Sequence, residues 1–355
     1  MSGDAREAEG TYRGGGPTLR LRVNTEGDVT RAAEILRGGG TVAFPTETVY
    51  GLGANALDEV AVGRIFAAKE RPAWDPLIVH VSDRAMLARV AEVSGEAGER
   101  ARRLMDAFWP GPLTLLLPRS AVVPDTVTAG RALVGVRMPR HEVAMALIRT
   151  AGVPVAAPSA NRFGRTSPTS AAHVLEDLDG RIDAVLDGGA TTVGVESTVL
   201  DVCRWPMVIY RPGAVTAEMI AEVAGEVRVF TPVRTGDAPE SLPSPGVGLR
   251  HYAPRARLVL VREFGGEARR SLLEAIEREG GGRVGVMLPG GWEAAGAACV
   301  YRWGAWGDGE ELARRMFDGL RTLDEAGAEV IVCPLPEGGG MADALRDRLE
   351  KAARR

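Results

Sequence analysis

The sequence predicts an α/β protein in two units, an N-terminal twisted mixed sheet with helices and a C-terminal parallel α/β unit. Three observations carry this expectation. Helical and strand periodicities alternate from the first apolar segments onward. Several strand patterns between residues 113 and 211 then follow one another with no helical pattern between them, which a purely parallel sheet does not allow. Beyond a Pro-rich stretch the alternation becomes regular, as in βαβ units. At 355 residues the chain exceeds one typical core, so each unit has its own.

Met1 to Gly16 reads as a disordered leader. Asp28 reads as the cap of a helix over Val29 to Arg37, ended by Gly38, Gly39 and Gly40, and Thr41 to Phe44 as a short buried strand. Asp58 caps a second helix with Val60, Ile65 and Phe66 on one face up to Lys69, and Leu77 to Val81 is the next strand. Further strands are expected at Leu113 to Leu117, Leu133 to Met138, Val153 to Ala157, Ala184 to Leu186, Thr198 to Val202 and Val208 to Arg211. The first unit therefore spans 17–228. Residues 229–256, with five separate prolines before Arg255, read as a linker. The second unit, 257–355, alternates strands at Leu258 to Val261, Val284 to Leu288 and Val330 to Val332 with helices at Glu267 to Arg278 and Glu310 to Ala326 and a terminal helix. Pro289-Gly290-Gly291 matches neither a dinucleotide fingerprint nor a P-loop and reads as a turn.

The net charge of -4 argues against a global positive field for nucleic acid, leaving only a local basic patch. Three scattered cysteines fit reduced thiols in a cytoplasmic setting, and the four histidines show no metal-ligand spacing, so no metal is expected on protein ligands. No apolar run reaches membrane-spanning length.

The cations are lopsided: forty-one arginines against two lysines. Lys351 lies in the charged tail, but Lys69 sits in Lys69-Glu70-Arg71-Pro72. An ammonium and a guanidinium fork two residues apart suit one anion, while a helix-end lysine favoured by the macrodipole is the equal alternative. Pro45 to Gly53 follows a strand and brings hydroxyls (Thr48, Tyr50), a carboxylate and glycines into a tight connection. Ala157-Pro158-Ser159-Ala160-Asn161, extended through Ser167, reads as a polar loop at a strand's C-terminal end, where α/β sheets usually place ligands. Arg137 and Arg211 end apolar strands, and Glu196-Ser197-Thr198 adds a hydroxyl. With no nucleophile elbow or Ser/His/Asp order, the set suits binding a polyanion and stabilising its charge.

In this order the segments resemble the YrdC-like family of threonylcarbamoyl-adenylate synthases in its long form, whose second domain is Rossmann-like. Lys69 to Pro72 and Ser159-Ala160-Asn161 resemble its two signature motifs, Pro45 to Gly53 its first loop, and Ser244-Pro245-Gly246 with Arg250 to Pro254 its interdomain linker. The resemblance implies conversion of L-threonine, bicarbonate and ATP to L-threonylcarbamoyl-AMP and pyrophosphate, with magnesium on the phosphates. The product would pass to a downstream tRNA threonylcarbamoyl transferase complex that modifies the adenosine beside the anticodon. It further implies Thr48, His80, Arg137, Ala157 and Ser197 around threonine, and Arg71, Asp75, Ser159, Ser167, Arg211, Tyr252 and the backbone near Leu133 on ATP. Lys69 and Arg71 would stabilise reacting charge, and Tyr50 and Asn161 lie in the matched motifs. Read alone, His80 is a satisfied strand histidine. Asp75 stands where the family usually places Asn, and a carboxylate cannot donate to a phosphate as an amide does. Competing readings are an RNA- or ribosome-binding factor using Arg71, Arg137, Arg165 and Arg211 on double-stranded RNA, and carbamoyl transfer in hydrogenase maturation; acidity and few aromatics weigh against the first, missing zinc-finger cysteines against the second.

Overall fold

The computed structural model describes residues 16–23, 27–231, 251–280 and 282–354. The expected leader up to residue 15 and the linker segment 232–250, including Ser244-Pro245-Gly246, Val247-Gly248-Leu249 and Arg250, lie outside the described residues.

Among the described residues the first sheet comprises β1 (Leu19–Arg22), β2 (Val42–Phe44), β3 (Gly51–Asn55), β4 (Ile78–His80), β5 (Leu113–Pro118), β6 (Leu133–Arg137), β7 (Val155–Ala156), β8 (Ala184–Asp187), β9 (Thr198–Asp201), β10 (Met207–Arg211) and β11 (Val227–Val229). Their order is β1-β8-β2-β3-β7-β4-β6-β5-β9-β10-β11. Antiparallel pairs such as β3 with β7 and β5 with β6 alternate with parallel pairs such as β4 with β6 and β5 with β9, so the sheet is mixed as expected. The second sheet is wholly parallel: β12 (Arg257–Val261), β13 (Val284–Pro289), β14 (Cys299–Gly304) and β15 (Val330–Pro334) in the order β12-β15-β13-β14.

Several local readings need correction. Gly27, in a left-handed conformation, is the cap of helix Asp28–Arg37; Asp28 is its first residue and its carboxylate accepts from the Arg22 N–H. Val60 is 73% exposed, and Ala61, Val62, Ile65 and Ala68 form the inner face of helix Glu59–Lys69 instead. Helices Glu142–Ala151 and Ala171–Leu178 interrupt strands read as consecutive. The first is apolar on most of its circumference, so its period is blurred; the second is short and capped by the Ser170 hydroxyl. β11, β14 and β1 were unexpected: β11 occupies the start of the supposed linker, and β14 follows β13 with no intervening helix. The expected terminal helix is Met341–Ala352, but Lys351, read as part of a charged tail, is buried in it together with Arg348.

The two faces of the first sheet do different work. Val79, Leu115, Val136, Leu200 and Ile209 join the main core under the helices. Alternate residues of the same strands, Ile78, Leu116, Val199, Val208 and Tyr210, point to the other face and form a small separate cluster. The second unit packs beside that face. Val49, Val195 and Tyr252 enter its core with Leu312, Phe317 and Leu345. Arg321, from helix Gly309–Glu325, pairs with Glu176 at 2.8 Å and Asp177 at 2.7 Å and also donates to the Thr166 carbonyl. Among the described residues no helix is long and apolar enough to cross a membrane.

Gly194 is the tightest point of this contact. Its φ is +83°, and a Cβ there would lie 2.4 Å from the Ala313 carbonyl oxygen and from the Arg314 Cα. Both obstacles are backbone and cannot rotate away. Gly194→Ala is expected to lower the free energy of unfolding by about 1–3 kcal/mol in urea titrations. A stability equal to the parent's would contradict the docking described.

Candidate functional site

An open cleft lies across the second face of the first sheet. Much of its lining lies at strand ends: Ala157, Pro158 and Ser159 follow β7, and His80, Arg137 and Arg211 are the last residues of β4, β6 and β10. Ile78 and His80, alternate residues of β4, form part of its floor, and Arg137 is the register partner of His80 on β6. Thr48 approaches from the loop before β3 and Gly51 from its first residue, Pro158 and Ser159 from the loop after β7, Ser197 from the position before β9 and Arg211 from the end of β10. His251 and Tyr252, where the described chain resumes, close one side. Tyr252 is 1% exposed and holds a left-handed φ of 66°.

Each cation in the wall has defined partners. Helix Glu59–Lys69 ends at Glu70, whose φ of 55° turns the chain sharply and places Lys69 and Arg71 on the same side. Lys69 Nζ donates to the Ser159 carbonyl at 2.6 Å and to that of Asn161. Burial, reinforced by Arg71, pushes its ammonium well below the ordinary lysine range against the pull of Asp75 and Asp177. Arg71 donates to the Asp75 and Pro76 carbonyls at 3.1 and 2.8 Å and pairs with the Asp75 carboxylate at 2.9 Å. Arg137 donates to the Gly111 carbonyl and, at 2.9 Å, to the Thr48 hydroxyl, while its third nitrogen lies 2.6 Å from Glu47. Arg211 donates to the Ser197 carbonyl at 3.0 Å and hydroxyl at 3.1 Å.

His80 is neutral. Burial first, then Arg137, pushes its imidazole down to about 3, with Glu47 opposing. Its Nδ1 is buried with no hydrogen-bond partner in the protein, so it is not the satisfied strand histidine that the local sequence reads as. His251 is likewise held well below the usual range by burial and then by Arg71 and Lys69.

Of the residues expected from sequence, Thr48, Arg71, His80, Arg137, Ala157, Ser159, Ser197, Arg211 and Tyr252 line the cleft together. Lys69 sits just behind it. Others do not line it. Leu133 packs against the small apolar cluster of Ile78 and Tyr210. Tyr50 donates its hydroxyl to the Gly189 carbonyl at 2.7 Å, and Asn161 uses its amide N–H groups on the Arg162 and Arg165 carbonyls. Ser167 donates to Glu196, and Asp75 is buried against Arg71. Burial raises the Asp75 carboxyl, with Arg71 first and then Lys69 and Arg211 opposing. Sequence reasoning missed Thr46, Glu47, Gly51, Glu196 and His251 as site residues. Glu47 and Glu196 stood inside segments already singled out, and buried arginines close by call for such partners.

The carboxylates in and beside the cleft each face a cation: Glu47 lies 2.6 Å from Arg137, Asp75 2.9 Å from Arg71 and Glu196 2.9 Å from Arg348. Among the described residues no group of three or more His, Cys, Asp or Glu side chains could hold a metal. The donor set therefore does not fit a protein-held metal.

Fold and cleft together define an α/β protein with two sheets and a cleft walled by buried cations. Residues 34–213 match the Sua5/YciO/YrdC family, described as telomere recombination, and residues 215–354 match the C-terminal domain of threonylcarbamoyl-AMP synthase. The Pyrococcus abyssi threonylcarbamoyl-AMP synthase is 46% identical over 94% of this chain and 96% of its own, and that of Bacillus subtilis is 44% identical over 92% of each. The crystal structure of P. abyssi Sua5 complexed with L-threonine superposes with a TM-score of 0.86 at 45% identity, covering 95% of this chain and 97% of that one. The chain belongs to the threonylcarbamoyl-AMP synthase family.

Two buried neutral histidines give the site a pH signature. Their folded pKa values lie below the unfolded ones, so the unfolded chain binds more protons in acid and the stability they confer is lost as pH falls below about 6.5. In proton NMR the His80 and His251 ring signals are expected to remain those of neutral imidazole down to pH about 5. Titration of either ring near its ordinary value would contradict the burial described.

Proposed function

We propose that this chain makes L-threonylcarbamoyl-AMP and pyrophosphate from L-threonine, bicarbonate and ATP, for threonylcarbamoyl modification of the adenosine next to the anticodon in tRNA. One observation carries the reading beyond family membership: a single cleft joins the Thr48, His80 and Arg137 end to the Arg71, Ser159, Arg211 and Tyr252 end. That is room for an amino acid and a nucleotide's phosphates in contact with each other.

In this reading Arg137 takes the threonine carboxylate as a fork, and Thr48, His80, Ala157 and Ser197 surround the rest. Because its ring is uncharged, His80 can meet the substrate's polar groups through the free Nδ1 without repelling a cationic amine. The threonine amine attacks bicarbonate, losing water, to give a carbamate. A carbamate oxygen then attacks the α-phosphorus of ATP as the bond to the β-phosphate oxygen breaks and pyrophosphate leaves. Arg71, Ser159, Arg211 and Tyr252 hold the nucleotide, with Asp75 and Ser167 acting through Arg71 and Glu196. Lys69 stabilises charge between carbamate and phosphate; an anion arriving there favours its protonated form. Magnesium would come with the phosphates, and no protein ligand or step is assigned to it.

Residues 17–228 are the catalytic unit, with β11 running on to Val229, and 257–355 the second unit; His251 and Tyr252, just before the second unit, line the cleft. Three free thiols agree with a cytoplasmic location. Transfer of the product to a tRNA-modifying complex follows from its chemistry as an activated acyl donor. The RNA-binding alternative gains nothing: Arg71, Arg137 and Arg211, three of the four arginines behind it, are buried in the cleft wall.

Pyrophosphate release from ATP is expected to require both threonine and bicarbonate; release independent of threonine would overturn the assignment. In the same assay Lys69→Arg and Lys69→Met should each lower kcat by about a hundredfold or more, the scale for losing one preorganised charge-stabilising group. Circular dichroism should show the folded protein in at least one of them. Near-parental turnover in either would remove Lys69 from the mechanism.

A further inference from the structure

The second unit sends one charge into the wall of the cleft. Arg348, on helix Met341–Ala352, has a fully buried side chain and meets a partner 152 positions away in sequence. Its Nε donates to Glu196 Oε2 at 2.9 Å, one terminal nitrogen to the Glu196 carbonyl at 3.3 Å, and the other to Asp347 at 2.7 Å. Its guanidinium carbon lies 5.4 Å from the centre of the Tyr252 ring. The second Glu196 oxygen accepts from the Ser167 hydroxyl. Carboxylate and backbone of Glu196 are thus both held by Arg348.

The next residue is Ser197, whose carbonyl and hydroxyl orient the Arg211 fork and whose hydroxyl also bonds Thr114 at 2.8 Å. Glu196 is a buried anion within electrostatic reach of Arg211 as well as of Arg348. Burial would raise its carboxyl, yet the two guanidiniums, Arg348 before Arg211, hold it below the ordinary range. A buried carboxylate deprived of its partner seeks the nearest cation. Here that cation is Arg211.

We propose that Arg348 is a positioning residue supplied by the second unit to the nucleotide end of the cleft: by engaging Glu196 it keeps that carboxylate off Arg211 and leaves the Arg211 fork open to phosphate. Arg348 touches no substrate. The second unit is therefore a structural part of the ATP site, through one ion pair. This rests on the reading that Arg211 and Tyr252 hold ATP.

The experiment compares the full-length parent, Arg348→Met and Arg348→Met/Glu196→Gln in threonine-dependent pyrophosphate release. Arg348→Met should raise KM for ATP by about tenfold or more while KM for threonine stays within about threefold, because the freed carboxylate competes only at the phosphate end. The double variant, which buries no unpaired carboxylate, should recover most of the lost ATP affinity. An unchanged KM for ATP in Arg348→Met, or a double variant no better than the single, overturns the proposal. Should Arg348→Met fail to fold, the double variant decides: KM for ATP within about threefold of the parent supports the proposal and a tenfold rise overturns it. A parent that releases no pyrophosphate with threonine would defeat the functional reading instead. Calorimetric binding of a non-hydrolysable ATP analogue to the same three proteins would then still test whether Arg348 governs phosphate affinity.

Discussion

Lys69, Arg71, Arg137 and Arg211 are all withdrawn from water along one face of a sheet, and the loops around them supply the oxygens to which they donate. Removing one ion from water costs about several kcal/mol even after relaxation. The cost is offset unevenly. Arg71 and Arg137 each have a carboxylate, whereas Lys69 and Arg211 donate their hydrogen bonds to neutral oxygens of residues 159, 161 and 197. Four cations with two direct carboxylate partners leave a local surplus of positive charge in a chain whose net charge is negative. That imbalance is what a bound triphosphate and a carboxylate would complete, and it explains why the site binds anions without a basic protein surface.

A cleft on the face of a sheet needs a cover, because the strands' alternate residues on that side would otherwise lie open to solvent. The small cluster around Ile78, Leu116 and Tyr210 covers one stretch. The second unit and the residues that resume at His251 cover another, so the unit beyond residue 257 backs the site even though none of its side chains lines the cleft. Gly194 against residues 313 and 314, Arg321 against residues 176 and 177, and Arg348 against Glu196 are three separate ties across that boundary. Two of the three are buried ion pairs, which fix orientation more than they add stability.

The legible part of this protein was whatever chemistry is local in sequence. Strands such as Leu113–Pro118 and helix Glu59–Lys69 with its Asp58 cap declare themselves through period and capping. The paired Lys69 and Arg71, the hydroxyl loop at Thr48 and the arginines ending β6 and β10 could be singled out, and they do share one cleft. What could not be read was pairing at long range. Nothing near Arg137 names Glu47 as its partner, and nothing in a C-terminal helix full of charges marks Arg348 as buried while its neighbours Arg346 and Glu350 are only partly so. Strand β11 was lost for a related reason: half-exposed and three residues long, it has no inward-facing pattern to read.

The lysine that stands out in an arginine-rich chain has a geometric reason to be there. Lys69 is the last residue of its helix, and the left-handed turn at Glu70 sends the chain back so that Arg71 lies alongside it. The Ser159 and Asn161 carbonyls present acceptors for a single nitrogen in a space 1% open to solvent. A guanidinium there would bring two further nitrogens, whose N–H groups would need acceptors that the packed loop does not offer. Arg71 faces the opposite demand. Its fork spans two carbonyls and a carboxylate at once, which an ammonium on a flexible stem could not match with the same fixed geometry. The order lysine then arginine is thus set by the acceptors each position meets, and a chain biased toward arginine keeps its interior lysine where only a point charge fits.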